Sequence, residues 1–175
     1  FYLNLAKYLN PNFVSYEVQY AENFYRIKEY AEAKNIYEEI KKNGSIYNWQ
    51  SSKRITSILI KQDKKKEEIK YLKNSFQKLE KPNIYQIFDY AEFLKNNDQY
   101  RESIEHYSHV LRLISNQHEL YSITLDSRGV SYERTNQWDK AEIDLLNALK
   151  AKPNNAYVIN YLAYSWIEKG LKIEK

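Results

Sequence analysis

The sequence has 175 residues, of which 43% are hydrophobic and 29% charged, and this composition excludes a chain that is disordered throughout. It contains no cysteine, which excludes disulfides, thiolate zinc sites and cysteine nucleophiles. The net charge of +4 is uneven, because residues 48–83 hold ten Lys and Arg against four Asp and Glu, so at most one local basic patch is expected.

Residues that interrupt helices are scarce along the whole chain. Only three Gly and three Pro occur, which favours long helices joined by short turns over a sheet rich in tight turns. The longest strongly apolar run covers residues 55–60, far less than the roughly 20 residues that cross a bilayer. The sequence therefore predicts an all-α protein without a membrane-spanning segment among these residues.

A pattern of small and large residues with spacings of 3, 9, 4 and 3 recurs three times in chain order. The first copy is Ala21, Phe24, Ala33, Tyr37 and Ile40, the second is Ala91, Leu94, Ser103, Tyr107 and Val110, and the third is Gly129, Tyr132, Ala141, Leu145 and Ala148. Two antiparallel helices that pack at a shallow angle need small side chains where their axes come closest. The pattern therefore predicts repeated helix pairs, with Gly129 and Ala141 at the closest approach of one pair.

The third copy, with Pro153 five residues after Ala148, resembles the tetratricopeptide repeat, a helix-turn-helix unit of roughly 34 residues. It departs from the family signature at Leu125, where Trp is usual, at Arg128 for Leu and at Leu145 for Phe. The segment from Asn160 to Gly170 is similar to bacterial members of the family. The resemblance implies a right-handed α-solenoid of stacked antiparallel helix pairs, with about ten helices.

We divide the sequence into a single array of repeats with a half-repeat at each end. The half-repeats are 1–13 and 156–175, and the full repeats are 14–47, 49–83, 84–121 and 122–155. The second full repeat is the weakest, because Glu68 occupies the usual small position. The third carries extra residues at 115–119, which predict a longer loop before the fourth.

In such an array the first helix of each repeat lines the concave wall, so the register predicts which side chains face a binding groove. The predicted groove residues are Tyr25, Arg26, Lys53, Arg54, Ser57, Lys61, Tyr85, Phe88, Glu92, Lys95, Asp126, Glu133, Arg134, Tyr157, Asn160, Tyr161 and Tyr164. Aromatic anchors mixed with fixed charges suit peptide recognition. The resemblance implies a non-catalytic scaffold that binds a protein or peptide partner in this groove.

Two other functions remain open at this point: a structural element that assembles through its ends or convex face, and an RNA-binding helical repeat. The Lys-rich run from Lys61 to Lys70 is more typical of a solvated turn than of a phosphate site, and nucleic acid is not the expected partner. Some family members hold a peptide carboxylate with a Lys and an Asn on one helix, an Asn on the next, and a Lys and an Arg on the third. That set is missing here, because Ser57 stands four residues after Lys53 and the next helix offers Phe88 and Glu92.

Catalysis and cofactors are not expected. With Gly44, Gly129 and Gly170 as the only glycines, no phosphate-binding glycine loop can form, and no H-E-x-x-H motif occurs. His106 and His109 have helical spacing but make a poor metal signal. We therefore predict no enzyme activity, no metal, no cofactor and no small-molecule substrate, in a protein of the bacterial cytoplasm, the periplasm or the outer-membrane surface.

Overall fold

A computed structural model describes residues 5, 8–10 and 14–171 of the chain. Within 14–171 it contains nine α-helices and no strand. The helices are α1 (Val14–Arg26), α2 (Tyr30–Ile40), α3 (Ser45–Lys61), α4 (Lys65–Gln77), α5 (Ile84–Asn96), α6 (Tyr100–Leu113), α7 (Leu120–Arg134), α8 (Trp138–Ala151) and α9 (Ala156–Glu168). The all-α prediction is confirmed for these residues, and the predicted half-repeat 1–13 lies largely outside them.

The chain forms two compact units, Phe1–Lys81 and Pro82–Lys175. In the first unit each helix from α1 to α4 packs on the next. In the second unit α5 to α9 pack in the same order, and α5 also contacts α7, so the first helices of two successive pairs lie side by side. This is the packing expected of stacked helix pairs, in which each pair covers the apolar face of its neighbour.

The four pairs share one turn, which occupies three residues between the two helices. The middle residue has a left-handed backbone in each turn: Lys28 (φ 67°), Asp63 (φ 58°), Asp98 (φ 61°) and Asn136 (φ 59°). The third residue of each turn donates its N–H to the carbonyl five residues earlier, as Gln137 does to Tyr132 at 2.9 Å. Gly170 repeats this geometry after α9 with φ 65°. The same turn therefore recurs in every pair, and three of its four middle residues are Asp or Asn, which tolerate this backbone.

Lys28 is the one of these turn residues whose side chain suits the left-handed region poorly. Such a backbone costs a residue other than Gly, Asn or Asp about 1–2 kcal/mol. We expect Lys28→Gly to raise the free energy of unfolding by about 0.5–1 kcal/mol, after subtraction of the entropy that glycine gains in the unfolded chain. Urea titration followed by circular dichroism measures the change. Lys34→Gly, at an exposed position inside α2, should instead be destabilising.

The predicted close approach lies between α7 and α8. A Cβ placed on Gly129 would lie 2.9 Å from Cγ of Leu145 and 3.3 Å from the carbonyl oxygen of Ala141. Ala141 and Leu145 are themselves fully buried. The two helices therefore touch nearly backbone to backbone at Gly129, which explains why a small residue stands there.

The second helix pair has a glutamate in α4 where the other pairs have a small residue. Glu68 stands at its small position and is 5% exposed, and burial raises the pKa of its carboxyl above the usual range. The segment between α6 and α7, residues 114–119, is longer than residues 152–155 between α8 and α9, but it is no longer than residues 78–83 between α4 and α5. Over the described part of the chain, no helix combines the length and apolarity that crossing a membrane requires.

Candidate functional site

The first unit contains a cavity of about 380 Å³ between α1, α2 and α3. Its lining residues are Val18, Glu22, Tyr37, Ile40, Tyr47, Gln50, Ser51, Lys53, Arg54 and Ser57. Tyr37 and Ile40 are fully buried, whereas Gln50 and Arg54 are exposed, so an apolar floor lies beneath a polar rim. Most of the lining comes from α1 and α3, the first helices of two successive pairs.

Glu22 joins the three helices around this cavity. Its Oε1 accepts a hydrogen bond of 2.7 Å from the Tyr37 hydroxyl and forms an ion pair of 2.7 Å with Nε of Arg54. The Arg54 guanidinium lies 5.9 Å from the centre of the Tyr25 ring. Burial, together with the hydrogen bond to Glu22, raises the pKa of Tyr37 far above its usual value, so the phenol stays a donor. These contacts fix the direction in which Arg54 faces the cavity rim.

The second unit contains the same motif seventy residues later, centred on Glu92. Glu92 Oε1 accepts from the Tyr107 hydroxyl at 2.6 Å and from Ser127 Oγ at 2.5 Å. Lys95 donates to both Glu92 oxygens, at 3.1 and 2.9 Å, and to Ser127 Oγ at 2.9 Å. Arg54 in the first unit is thus replaced by a neutral Ser127 in the second, and a lysine from the same helix supplies the positive charge.

Asp126 lies beside this cluster, and one oxygen of its carboxylate is left without a hydrogen-bond partner. Its Oδ1 is buried and accepts no hydrogen bond from any residue that the structure describes. Burial raises the pKa of Asp126 to about 6, Lys95 lowers it and Glu92 raises it. A carboxylate in this state has the capacity to accept donors that the chain itself does not provide.

Tyrosines on α9 border the same surface of the second unit. The Tyr157 and Tyr161 rings lie 6.0 Å apart, and the Tyr161 hydroxyl donates to Glu133 at 3.0 Å. Tyr157 is 59% exposed, and its pKa is raised by burial and by the charges of Asp126 and Glu92, while Arg134 lowers it. Tyr157 therefore lies within electrostatic range of both carboxylates while it presents most of its ring to solvent.

In the first unit, the predicted groove residues fall into two groups. Lys53 and Arg54 line the cavity and Tyr25 packs beside Arg54, so the structure brings these three together. Arg26 and Lys61 are exposed at the last positions of α1 and α3, outside the cavity lining.

In the second unit, Lys95 belongs to the Glu92 cluster, and the Phe88 ring lies 6.1 Å from that of Tyr107. The Tyr85 hydroxyl donates to Glu119 at 2.8 Å, and Tyr85 does not take part in the Glu92 cluster. Arg134 is exposed beside Glu133 at 3.6 Å, and Tyr164 is 64% exposed.

Sequence reasoning missed Glu22 and Ser127 as members of these sites and treated Tyr37 and Tyr107 as core residues only. The sequence did contain a signal for Glu22. A glutamate directly follows the small residue in Ala21-Glu22 and Ala91-Glu92, and a tyrosine stands fifteen residues later in both copies. That spacing brings the tyrosine hydroxyl from the second helix onto the glutamate of the first.

The weaker sequence signals are structural in the described residues. The His106 ring makes an edge contact with Tyr90 at 4.9 Å, and no group of three or more His, Asp and Glu residues in the described part of the chain could hold a metal ion. The Lys-rich run begins at the end of α3, crosses the exposed turn and enters α4. Neither feature forms a site with the residues described above.

The sequence matches no protein-family model and no curated protein sequence. The structure is similar to that of YrrB, described as a TPR protein with an unusual peptide-binding site, at 17% identity and a TM-score of 0.63 over 92% of this chain and 80% of that one. MamA from Desulfovibrio magneticus RS-1 has 12% identity and a TM-score of 0.68, with 90% of this chain and 85% of that one covered.

A third similar structure is that of the APC/C hetero-tetramer Cut9–Hcn1. It has 18% identity and a TM-score of 0.65, and the match covers 97% of this chain but 33% of that one. The chain therefore has the tetratricopeptide-repeat fold, and the predicted fold class, an α-solenoid of helix pairs, is confirmed.

Proposed function

We propose that this chain is a non-catalytic scaffold that binds a peptide segment of a partner protein on the surfaces formed by its first helices. The observation that carries the proposal is the cavity lined by α1, α2 and α3. Its volume of about 380 Å³ lies within the range of about 300–1,000 Å³ that is usual for ligand sites. An apolar floor under fixed charges suits a peptide side chain that anchors by burial and is oriented by polar contacts.

The fold supports the same function. Stacked helix pairs hold their first helices in place through neighbouring repeats, so the side chains on those helices are presented with little loss of conformational entropy on binding. YrrB, which shares the fold, is described as having a peptide-binding site. In this chain the rim charges are prearranged as well, because Glu22 holds Arg54 and Tyr37 holds Glu22.

A substitution that fills the cavity tests the proposal. Ser57 lines the cavity and its hydroxyl bonds only the Lys53 carbonyl of its own helix, so Ser57→Phe should occupy the space without removing a core side chain. Peptides from a random display library are selected on the immobilised full chain, and their affinities are measured by fluorescence anisotropy. We expect Ser57→Phe to weaken the selected peptides about tenfold, the scale of one buried anchor.

Asn74→Phe is the matched control, because Asn74 is exposed on α4 and does not line the cavity. Both variants should melt within a few degrees of the wild type. If the selected peptides bind Ser57→Phe as tightly as the wild type, the cavity is not the peptide site. That result would favour the alternative function, a structural element that assembles through its helix ends or convex face.

A further inference from the structure

Around Glu92, every hydrogen-bond donor of the cluster is already committed. The Lys95 ammonium has three N–H groups and makes three contacts, two to Glu92 and one to Ser127. The hydroxyl hydrogens of Tyr107 and Ser127 both point to Glu92 Oε1. Glu92 therefore takes all of these donors except one Lys95 N–H, which goes to Ser127, and the neighbouring carboxylate, Asp126, receives none of them.

The charges of the cluster do not balance either. Lys95 offsets one of the two carboxylates, which leaves one negative charge without a bonded cation. Arg134, the basic residue at the end of α7, lies beside Glu133 instead. The unpaired Oδ1 has no surface that a partner can reach, but the Asp126 side chain as a whole is half-buried, so a cation at the surface can pair with the carboxylate charge.

An aromatic surface lies next to the unpaired carboxylate. Tyr157 is 59% exposed, feels the charge of Asp126 and Glu92, and stacks loosely with Tyr161. A tyrosine ring attracts a cation placed over its face, and this attraction adds to that of a nearby carboxylate. An anionic group at the same place would be repelled by Asp126, Glu92 and the π face, while the nearby cations are already paired, Lys95 with Glu92 and Arg134 with Glu133.

We propose that the surface formed by Glu92, Asp126 and Tyr157 binds a lysine or arginine side chain of the partner, an inference that rests on the proposed function. The cationic head pairs with the half-buried Asp126 carboxylate, and its aliphatic stem lies on the Tyr157 ring. The first unit differs at the equivalent position, where Arg54 already pairs with the glutamate, Glu22. The preference for a cation is therefore a property of the second unit.

The test compares peptide selection on the wild type and on Asp126→Asn. This change keeps the shape of the side chain and removes its charge, and since burial disfavours the carboxylate, it should not lower the melting temperature. From a random library of dodecapeptides we expect the wild type to enrich Lys or Arg at one position, and Asp126→Asn to lose that enrichment. A peptide selected on the wild type should bind the variant about tenfold more weakly.

The control is Asp63→Asn, which makes the same change at an exposed turn residue where the φ of 58° also suits asparagine. A library without Lys or Arg enrichment, or the same enrichment on Asp126→Asn, overturns the inference. If the peptides still lose affinity on Ser57→Phe in that case, the proposed function stands and the assignment of Asp126 alone is wrong. If the full chain selects no peptide at all, both the inference and the proposed function are wrong.

The pH dependence of binding gives a second readout. The cation needs ionised Asp126, whose pKa is about 6 in the unbound protein, so the affinity of a Lys peptide should fall as the pH drops through 6. Between pH 8 and pH 5 we expect the affinity of the Lys peptide to fall about tenfold for the wild type. The Asp126→Asn variant should lack this fall, because it has no carboxylate to protonate at this position. Glu92, Lys95, Tyr107 and Tyr157 face Asp126 in both proteins, so the difference between the profiles isolates Asp126.

Discussion

Asp144→Ala is expected to lower the free energy of unfolding by about 3–5 kcal/mol, the cost of breaking one half of a buried ion pair. Asp144 Oδ2 lies 2.7 Å from Nε of Arg128, and its Oδ1 lies 2.8 Å from Nη2, so the contact is bidentate. The Asp144 side chain is 5% exposed and that of Arg128 is 19% exposed. Without the aspartate, the guanidinium keeps only Ser108, at 3.0 Å, and the Tyr132 ring. Urea-induced unfolding followed by circular dichroism measures the loss.

Two further variants separate the pair from its surroundings. Asp139→Ala removes an exposed carboxylate near the start of the same helix and should cost no more than about 1 kcal/mol through the helix dipole. The double variant Arg128→Leu with Asp144→Leu replaces both charges by apolar side chains and should recover most of the lost stability. A loss for Asp144→Ala no larger than that for Asp139→Ala would show that the pair does not stabilise the packing of α7 on α8.

The sequence predicted the architecture because small side chains recur at the positions where paired helices touch. Gly129 and Ala141 are small where the helices touch, and the size of a side chain can be read directly from the residue type. The turn between the helices was harder to predict. Its left-handed middle residue is Lys28 in the first pair, a residue type that gives no signal for that backbone.

The candidate sites were predicted less completely, since they depend on which atoms converge in space. The register alone predicted Arg54 and Lys95 as candidates, and the structure places Arg54 at the cavity and Lys95 in the Glu92 cluster. That Glu92 would collect donors from α5, α6 and α7, and leave Asp126 with none, depends on distances between side chains from three helices. Spacing along one helix predicts the direction of a side chain but not which of two adjacent carboxylates a hydroxyl will choose.

Ala141→Leu is expected to destabilise the second unit by about 3 kcal/mol, the upper part of the usual range for overpacking. Ala141 is fully buried on the helix that packs against Gly129, so three more carbon atoms at this position must displace packed neighbours. The helices must separate or the leucine must adopt a strained rotamer. Either response also loosens the contacts of Leu145 and Ala148, which lie on the same face of α8.

The same substitution at Ala151 is the matched control, because Ala151 is exposed at the last position of α8. Ala151→Leu should change the free energy of unfolding by less than about 0.5 kcal/mol, as surface changes usually do. Thermal unfolding of the two variants side by side therefore measures packing rather than helix propensity, since both exchange alanine for leucine in one helix. Equal stability of the two variants would mean that α7 and α8 do not meet at Ala141, and the repeat register built on the spacing of small residues would be wrong.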